Sequence, residues 1–247
     1  MLLQELPENQ QKMKQLSPGY AIFLLILYWI LNLVGQAIAI VPQMVENLVR
    51  ESDNLTSINP NELVNELMKK LNYPWYINLF QALVFVFILW LFKRQNVQFF
   101  STGFSKREIV QIVFYGVALV GISLVVEQVI GYFVQDFNTA NQEALEGIFA
   151  NSSRITMFMS IVILAPITEE VMFRGVFSLI FKKFQLLGFF VCAVAFTLSH
   201  MPNDLLSFLV YFIMALGLGA IYWKTKRIEA SIFAHMLNNF IGFLLML

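Results

Sequence analysis

The chain has 247 residues and a formal net charge of zero; 58% of its residues are hydrophobic and only 13% are charged. Soluble domains carry about 25% charged residues, so this composition excludes an ordinary soluble protein and predicts a membrane protein with several spans. The balanced charge provides no basic face for nucleic acid, and the single cysteine excludes an internal disulfide and a cysteine-rich metal cluster.

Apolar segments follow one another along most of the chain. A helix needs about 20 mainly apolar residues to cross the hydrocarbon core of a bilayer. Seven segments come close to this length, at residues 21–41, 75–92, 108–134, 155–181, 185–200, 205–223 and 228–247. They predict an all-α fold, a polytopic transmembrane helical bundle of about seven spans that forms one integrated membrane domain in the lipid bilayer.

The basic residues indicate how this bundle is oriented, because lysine and arginine collect in cytoplasmic connections. With the N-terminus inside, the inner connections hold eleven basic residues and the outer ones only four. The outer ones are Arg50, Lys69, Lys70 and Arg154. The pattern predicts an integral protein of a cytoplasmic membrane, with the N-terminus inside and the C-terminus outside.

Two connections contain local helix signals. In the outer loop, residues 42–74, Asn59-Pro60 has the pattern of a helix start. Apolar residues then recur at helical spacing, at Leu63, Val64, Leu67, Met68 and Leu71. They predict an amphipathic helix that lies on the outer membrane surface or packs on the outer ends of the spans. Ser105 and Glu108 form the pattern of a capping box at the start of the third span.

The fourth span contains charged residues in the stretch ITEEVMFRG, residues 167–175. A charged side chain at the centre of a bilayer costs about 2.5–3.5 kcal/mol, so such residues face one another or a polar cavity. Glu170 and Arg174 are four residues apart on a helix and are predicted to neutralise one another. Glu169 is rotated by about 100° from Glu170 and can face another helix. Pro166 is expected to loosen the helix and free backbone carbonyls beside the acids.

The only two histidines of the chain, His200 and His235, also lie in apolar segments, and Asn239 follows His235 by about one helical turn. A rise of about 1.5 Å per residue places Glu169 and both imidazoles in one central band of the bilayer. The sequence therefore predicts that these three side chains meet in a polar chamber.

These residues form three motifs that follow one another on separate apolar segments: Glu169-Glu170-x-x-x-Arg174, Phe196-x-x-x-His200 and His235-x-x-x-Asn239. Together they resemble the motifs of the CPBP family, which comprises the CAAX prenyl proteases and the bacterial bacteriocin-processing and immunity (Abi) proteins. The resemblance divides the chain into N-terminal membrane helices with the outer loop and amphipathic helix, residues 1–154, and a CPBP-like catalytic core, residues 155–247.

The resemblance implies an intramembrane endopeptidase, with a membrane-associated peptide or protein as substrate and a bacterial cytoplasmic membrane as the expected location. It implies that Glu169 and His200 activate water and that His235 and Asn239 form an oxyanion site. Glu170, Arg174 and Phe196 would then support the site.

The resemblance also leaves alternatives. Glu169, His200 and His235 form a possible zinc ligand set, since zinc accepts imidazole and carboxylate ligands. We favour a mechanism without a cofactor, because no H-E-x-x-H pattern is present and Asn239 is a poor zinc ligand. A non-catalytic bacteriocin immunity or regulatory protein of the same fold is the second functional hypothesis. A proton-coupled transporter is disfavoured, because the sequence shows no inverted repeat or pair of broken helices.

Overall fold

The computed structural model describes residues 17–50, 67, 70–101, 103–135, 137–181 and 183–247. In these ranges the regular structure is entirely helical. The helices are α1 (Pro18–Arg50), α2 (Trp75–Arg94), α3 (Lys106–Phe133), α4 (Ala140–Ala150), α5 (Arg154–Ile180), α6 (Gln185–Ser199), α7 (Leu205–Thr225) and α8 (Ile228–Leu245). Six of the described helices are long and apolar enough to cross a membrane, and α6 is a shorter apolar helix of 15 residues. The predicted polytopic all-α bundle is confirmed.

Two connections differ from the prediction. Helix α1 continues through Pro42 to Arg50 instead of ending near residue 41. An exposed ion pair between Arg50 and Glu46, one turn apart, supports this extension. The connection before the fourth span contains α4, which begins where the Thr139 side chain accepts a hydrogen bond from the backbone N–H of Gln142.

The other helix signals have separate outcomes. The capping box is confirmed: the Ser105 side chain accepts from the backbone N–H of Glu108, and the Glu108 carboxylate accepts from the backbone N–H of Ser105. The amphipathic outer helix lies outside the described residues except for Leu67 and Leu71, which are both buried. Its position therefore stays a prediction.

Helix α5 lies between two apolar clusters of the bundle. One cluster joins α5 to α1, α2 and α8, with Leu24, Ile88, Phe92, Val171 and Ile232 among its members. The other joins α5 to α3, α6, α7 and α8, with Leu119, Phe173, Phe196, Leu218 and Ala234 among its members. All residues from Val171 to Val176 are buried. The polar residues of α5 are thus held at the centre of the bundle.

Helix α5 is also irregular, since it widens into π-helical geometry over Phe158–Leu164 and Val171–Val176. The N–H of Ala165 donates to the carbonyl of Ser160, five residues earlier. With the same five-residue spacing, the N–H of residue 166 would donate to the carbonyl of Ile161. Residue 166 is proline, however, which has no N–H to donate. The carbonyl of Ile161 is left for another donor. The two acids lie on the short α-helical segment Ala165–Glu170 between the wide turns, a setting common at functional sites.

Candidate active site

The innermost part of the site is a buried ion pair within α5. Nη1 of Arg174 lies 2.9 Å from Oε1 of Glu170, and the two side chains are 4% and 0% exposed. The guanidinium also donates to the carbonyl of Ala215 on α7 and lies over the ring of Phe196 on α6. The predicted pairing is confirmed. Because both charges are desolvated, each depends on the other and on these further contacts.

His235 on α8 is fixed by this ion pair. Its Nδ1 lies 3.1 Å from Oε1 of Glu170, and the side chain is only 1% exposed. A carboxylate only accepts hydrogen bonds, so Nδ1 carries the proton and donates it. The opposite nitrogen, Nε2, is directed towards Glu169 and lies 3.9 Å from its Oε2. Glu170 therefore determines which nitrogen His235 presents to the other acid.

His200, at the C-terminal end of α6, has a similar arrangement. Its Nδ1 lies 2.9 Å from the carbonyl oxygen of Phe196, one turn earlier. A carbonyl also only accepts, so this nitrogen carries a proton as well. Nε2 of His200 lies 4.0 Å from Oε2 of Glu169. The structure thus brings the two imidazoles and Glu169 together, as the depth estimate predicted.

The Glu169 side chain lies within 4.0 Å of both imidazoles and is partly exposed, although its Oε2 atom is buried. Its side chain is 28% exposed, whereas that of Glu170 is fully buried. Among the described residues, Oε2 of Glu169 has no hydrogen-bond partner. Hydrogen bonds between such atoms are about 2.8–3.0 Å long. The separations of 3.9 and 4.0 Å are therefore too long for direct hydrogen bonds between Glu169 and either Nε2 atom.

Asn239 lies one turn beyond His235 on α8 and has a different partner. Its Nδ2 donates to the carbonyl of Ile161 at 3.0 Å. This is the carbonyl that Pro166 leaves without a backbone donor, as the sequence predicted for a carbonyl near the acids. Asn239 therefore links α8 to the wide turn of α5. Its predicted contact with an oxyanion stays a prediction.

The same side chains can be compared with a zinc site. Their donor types suit zinc, and each Nδ1 already has the second partner that orients zinc-bound histidines. Their spacing does not suit zinc, because ligands about 2.0–2.2 Å from a tetrahedral zinc ion are about 3.3 Å from each other. The observed separations from Glu169 are 3.9 and 4.0 Å. Within the described ranges, no three His, Cys, Asp or Glu side chains are close enough to hold a metal ion.

Two tyrosines near the site were not predicted. Tyr211 on α7 stacks on the imidazole of His200 with ring centroids 4.6 Å apart. Tyr28 on α1 has its hydroxyl beside Thr168 and Asn32, next to Glu169. Neither belongs to a motif. The sequence marks each of them only as a tyrosine within an apolar span. Other tyrosines of the chain share this feature, so it does not distinguish a site residue.

Comparison with known proteins finds a family model that matches the C-terminal part of the chain. Residues 151–241 match the family model described as type II CAAX prenyl endopeptidase Rce1-like. All three polar motifs fall within these residues. The match to this family model confirms the resemblance drawn from the three motifs, and the chain is an integral membrane protein.

One curated relative is the UPF0177 protein YvdC of Lactococcus lactis subsp. lactis (strain IL1403), which is 31% identical over 122 residues. The match covers 47% of this chain and 46% of the relative, so the chain spans about half of that protein's length. No solved structure matches the chain significantly.

Proposed function

We propose that this protein is an intramembrane endopeptidase that hydrolyses peptide bonds in membrane-associated peptides or proteins, with water activated by Glu169 and His200. The observation that carries the proposal is the convergence of three groups: Oε2 of Glu169 lies 4.0 Å from Nε2 of His200 and 3.9 Å from Nε2 of His235. The match of residues 151–241 to the family model described as type II CAAX prenyl endopeptidase Rce1-like supports the same reaction class.

In the proposed reaction, Glu169 removes a proton from the water as its oxygen attacks the carbonyl carbon of the scissile peptide bond. The attack forms a tetrahedral intermediate with a negatively charged oxygen. The proton passes to the amide nitrogen when the C–N bond breaks, and the products are a carboxylate and an amine. In this proposal Nε2 of His200 contacts the same water molecule and assists the proton transfer.

His235 and Asn239 are the proposed donors to the oxyanion. When Nε2 of His235 is protonated, it donates towards the intermediate while Glu170 accepts from Nδ1. Asn239 uses one N–H for the carbonyl of Ile161 and has a second to offer. Donors that are already in place stabilise the developing charge strongly where water is scarce.

We further propose a location in a bacterial cytoplasmic membrane, with the N-terminus inside. The excess of basic residues in the inner connections supports this orientation. Residues 155–247 would form the catalytic core and residues 1–154 the supporting helices. The natural substrate would be a peptide precursor or another membrane protein.

The proposed function can be tested by comparing membrane-associated peptide fragments in cells that express the wild type or His200→Gln at equal levels. We expect fragments that appear only with the wild type, and their ends would identify the substrate and cleavage site. Glu127→Gln, which changes an exposed carboxylate on α3, serves as a matched control and should behave as the wild type. Identical profiles for wild type and His200→Gln, with toxin resistance or signalling intact in both, would instead indicate a non-catalytic immunity or regulatory protein.

The metal-free mechanism predicts that cleavage by the purified protein continues after treatment with EDTA and 1,10-phenanthroline. The reason is the spacing around Glu169, which is too wide for tetrahedral zinc. The rate before and after treatment should be measured together with the zinc content of the protein. Loss of cleavage that returns when zinc is added would contradict the mechanism and would assign Glu169, His200 and His235 as metal ligands.

A further inference from the structure

We propose that Tyr211 is a positioning residue that fixes the plane of the His200 imidazole and connects it to the start of α4. The inference rests on the proposed function, since it assigns Tyr211 a task in the same site. The ring of Tyr211 lies nearly parallel to that of His200, with an interplanar angle of 23° and centroids 4.6 Å apart. The ring of Phe196 lies at the same distance from His200 with a tilt of 35°.

His200 needs such support because of its place in the chain. It is the residue at which α6 ends, and Met201 after it has a positive φ of 49°. Its short hydrogen bond, at 2.9 Å, joins Nδ1 to the carbonyl of Phe196, and a contact with the Ser199 hydroxyl is longer, at 3.4 Å. A hydrogen bond at Nδ1 leaves the ring free to rotate about that contact. The aromatic face of Tyr211 opposes this rotation and so fixes the direction of Nε2.

The hydroxyl end of the Tyr211 side chain is also held in place, by hydrogen bonds. Its hydroxyl lies 2.7 Å from Oγ1 of Thr139 and accepts a longer hydrogen bond, 3.3 Å, from Nδ2 of Asn141. Thr139 is 6% exposed and is the residue that caps α4. The tyrosine therefore has a fixed position at both ends, with its ring on the imidazole and its hydroxyl on the start of α4.

The two imidazoles of the site are consequently held in different ways. His235 is almost completely buried and donates to the Glu170 carboxylate. His200 is 15% exposed and depends on a backbone carbonyl and on aromatic contacts. Loss of Tyr211 should therefore affect His200 and leave His235 in place.

The chain has only two histidines, which allows a direct test. A protein labelled with ¹³C at histidine Cε1, purified without a histidine tag, should give two imidazole signals, and His235→Gln assigns them. In the wild type we expect one shifted signal for His200, because it lies against two aromatic rings. Tyr211→Leu should move this signal and broaden it, whereas Tyr211→Phe, which keeps the ring, should retain the shift.

Phe212→Leu is the matched control, because it removes an aromatic ring from the next position of α7, where the ring stacks on Phe208 instead. It should leave the His200 signal unchanged. An unchanged signal in Tyr211→Leu would overturn the proposal, and so would an equal change in Phe212→Leu, which would show general loosening of α7.

Cleavage of the membrane peptide identified from the fragment comparison gives a second measurement. A displaced catalytic group costs up to about 10²-fold in rate, so Tyr211→Leu should lower kcat by up to that factor with little change in KM. Tyr211→Phe should restore most of the rate. If the wild type cleaves nothing, the proposed function fails, while the imidazole signals still decide the position of His200.

Discussion

Replacement of Glu169 by glutamine should lower the rate of peptide cleavage by about 10²- to 10⁴-fold, the usual contribution of a positioned general base. Glutamine has nearly the same shape but cannot take a proton from water. The rate should be measured with purified protein and the peptide identified in cells. Glu127→Gln, the matched carboxylate change on α3, should retain the wild-type rate.

The same replacement should leave the fold intact. Oε2 of Glu169 has no hydrogen-bond partner among the described residues, and the side chain is 28% exposed, so its replacement breaks no contact of the fold. We therefore expect equal membrane abundance and equal thermal unfolding for Glu169→Gln and the wild type. If the folded variant cleaves at the wild-type rate, Glu169 is not the base.

Replacement of Glu170 by glutamine should instead destabilise the protein, because it leaves the charge of Arg174 buried and uncompensated. Breaking a buried ion pair by removing one partner costs about 3–5 kcal/mol. Membrane abundance and the thermal midpoint in detergent should both fall. The double variant Glu170→Gln with Arg174→Met removes the orphaned charge and should recover part of the loss.

Glu46→Gln provides a matched comparison, because Glu46 and Arg50 form an ion pair with the same sequence spacing at the surface. Their side chains are 63% and 71% exposed, against 0% and 4% for Glu170 and Arg174. Exposed pairs contribute about 0–1 kcal/mol, so this variant should stay close to the wild type. A Glu170→Gln protein as stable as Glu46→Gln would show that Arg174 does not depend on its acid.

Much of this arrangement could be predicted from the sequence, because three simple rules apply to it. The number of apolar residues that a bilayer requires located the spans, and the rise of a helix placed Glu169, His200 and His235 at one depth. The i, i+4 spacing identified the pair of Glu170 and Arg174. Each of these features depends on positions within one helix or on depth alone.

The rest depends on how helices face one another, which sequence spacing does not describe. Tyr211 meets His200 only because α6 and α7 pack side by side. The contact between Nδ1 of His235 and Glu170 depends on the rotation of α8 against α5. The wide turns of α5 were not predicted either, although Pro166 indicated that a carbonyl nearby would need another donor.

The wide turn around Ile161 has a consequence for how the two histidines are held. Asn239 bonds to Ile161, and His235 bonds to Glu170, so two side chains of α8 are attached to α5 at two levels. These two helices carry the proposed general base and the proposed oxyanion donors. His200 comes from the end of α6 and faces Glu169 at 4.0 Å, beyond hydrogen-bonding distance. The position of His200 relative to Glu169 therefore depends on the packing of α6 against α7, whereas the position of His235 is set by hydrogen bonds between α8 and α5.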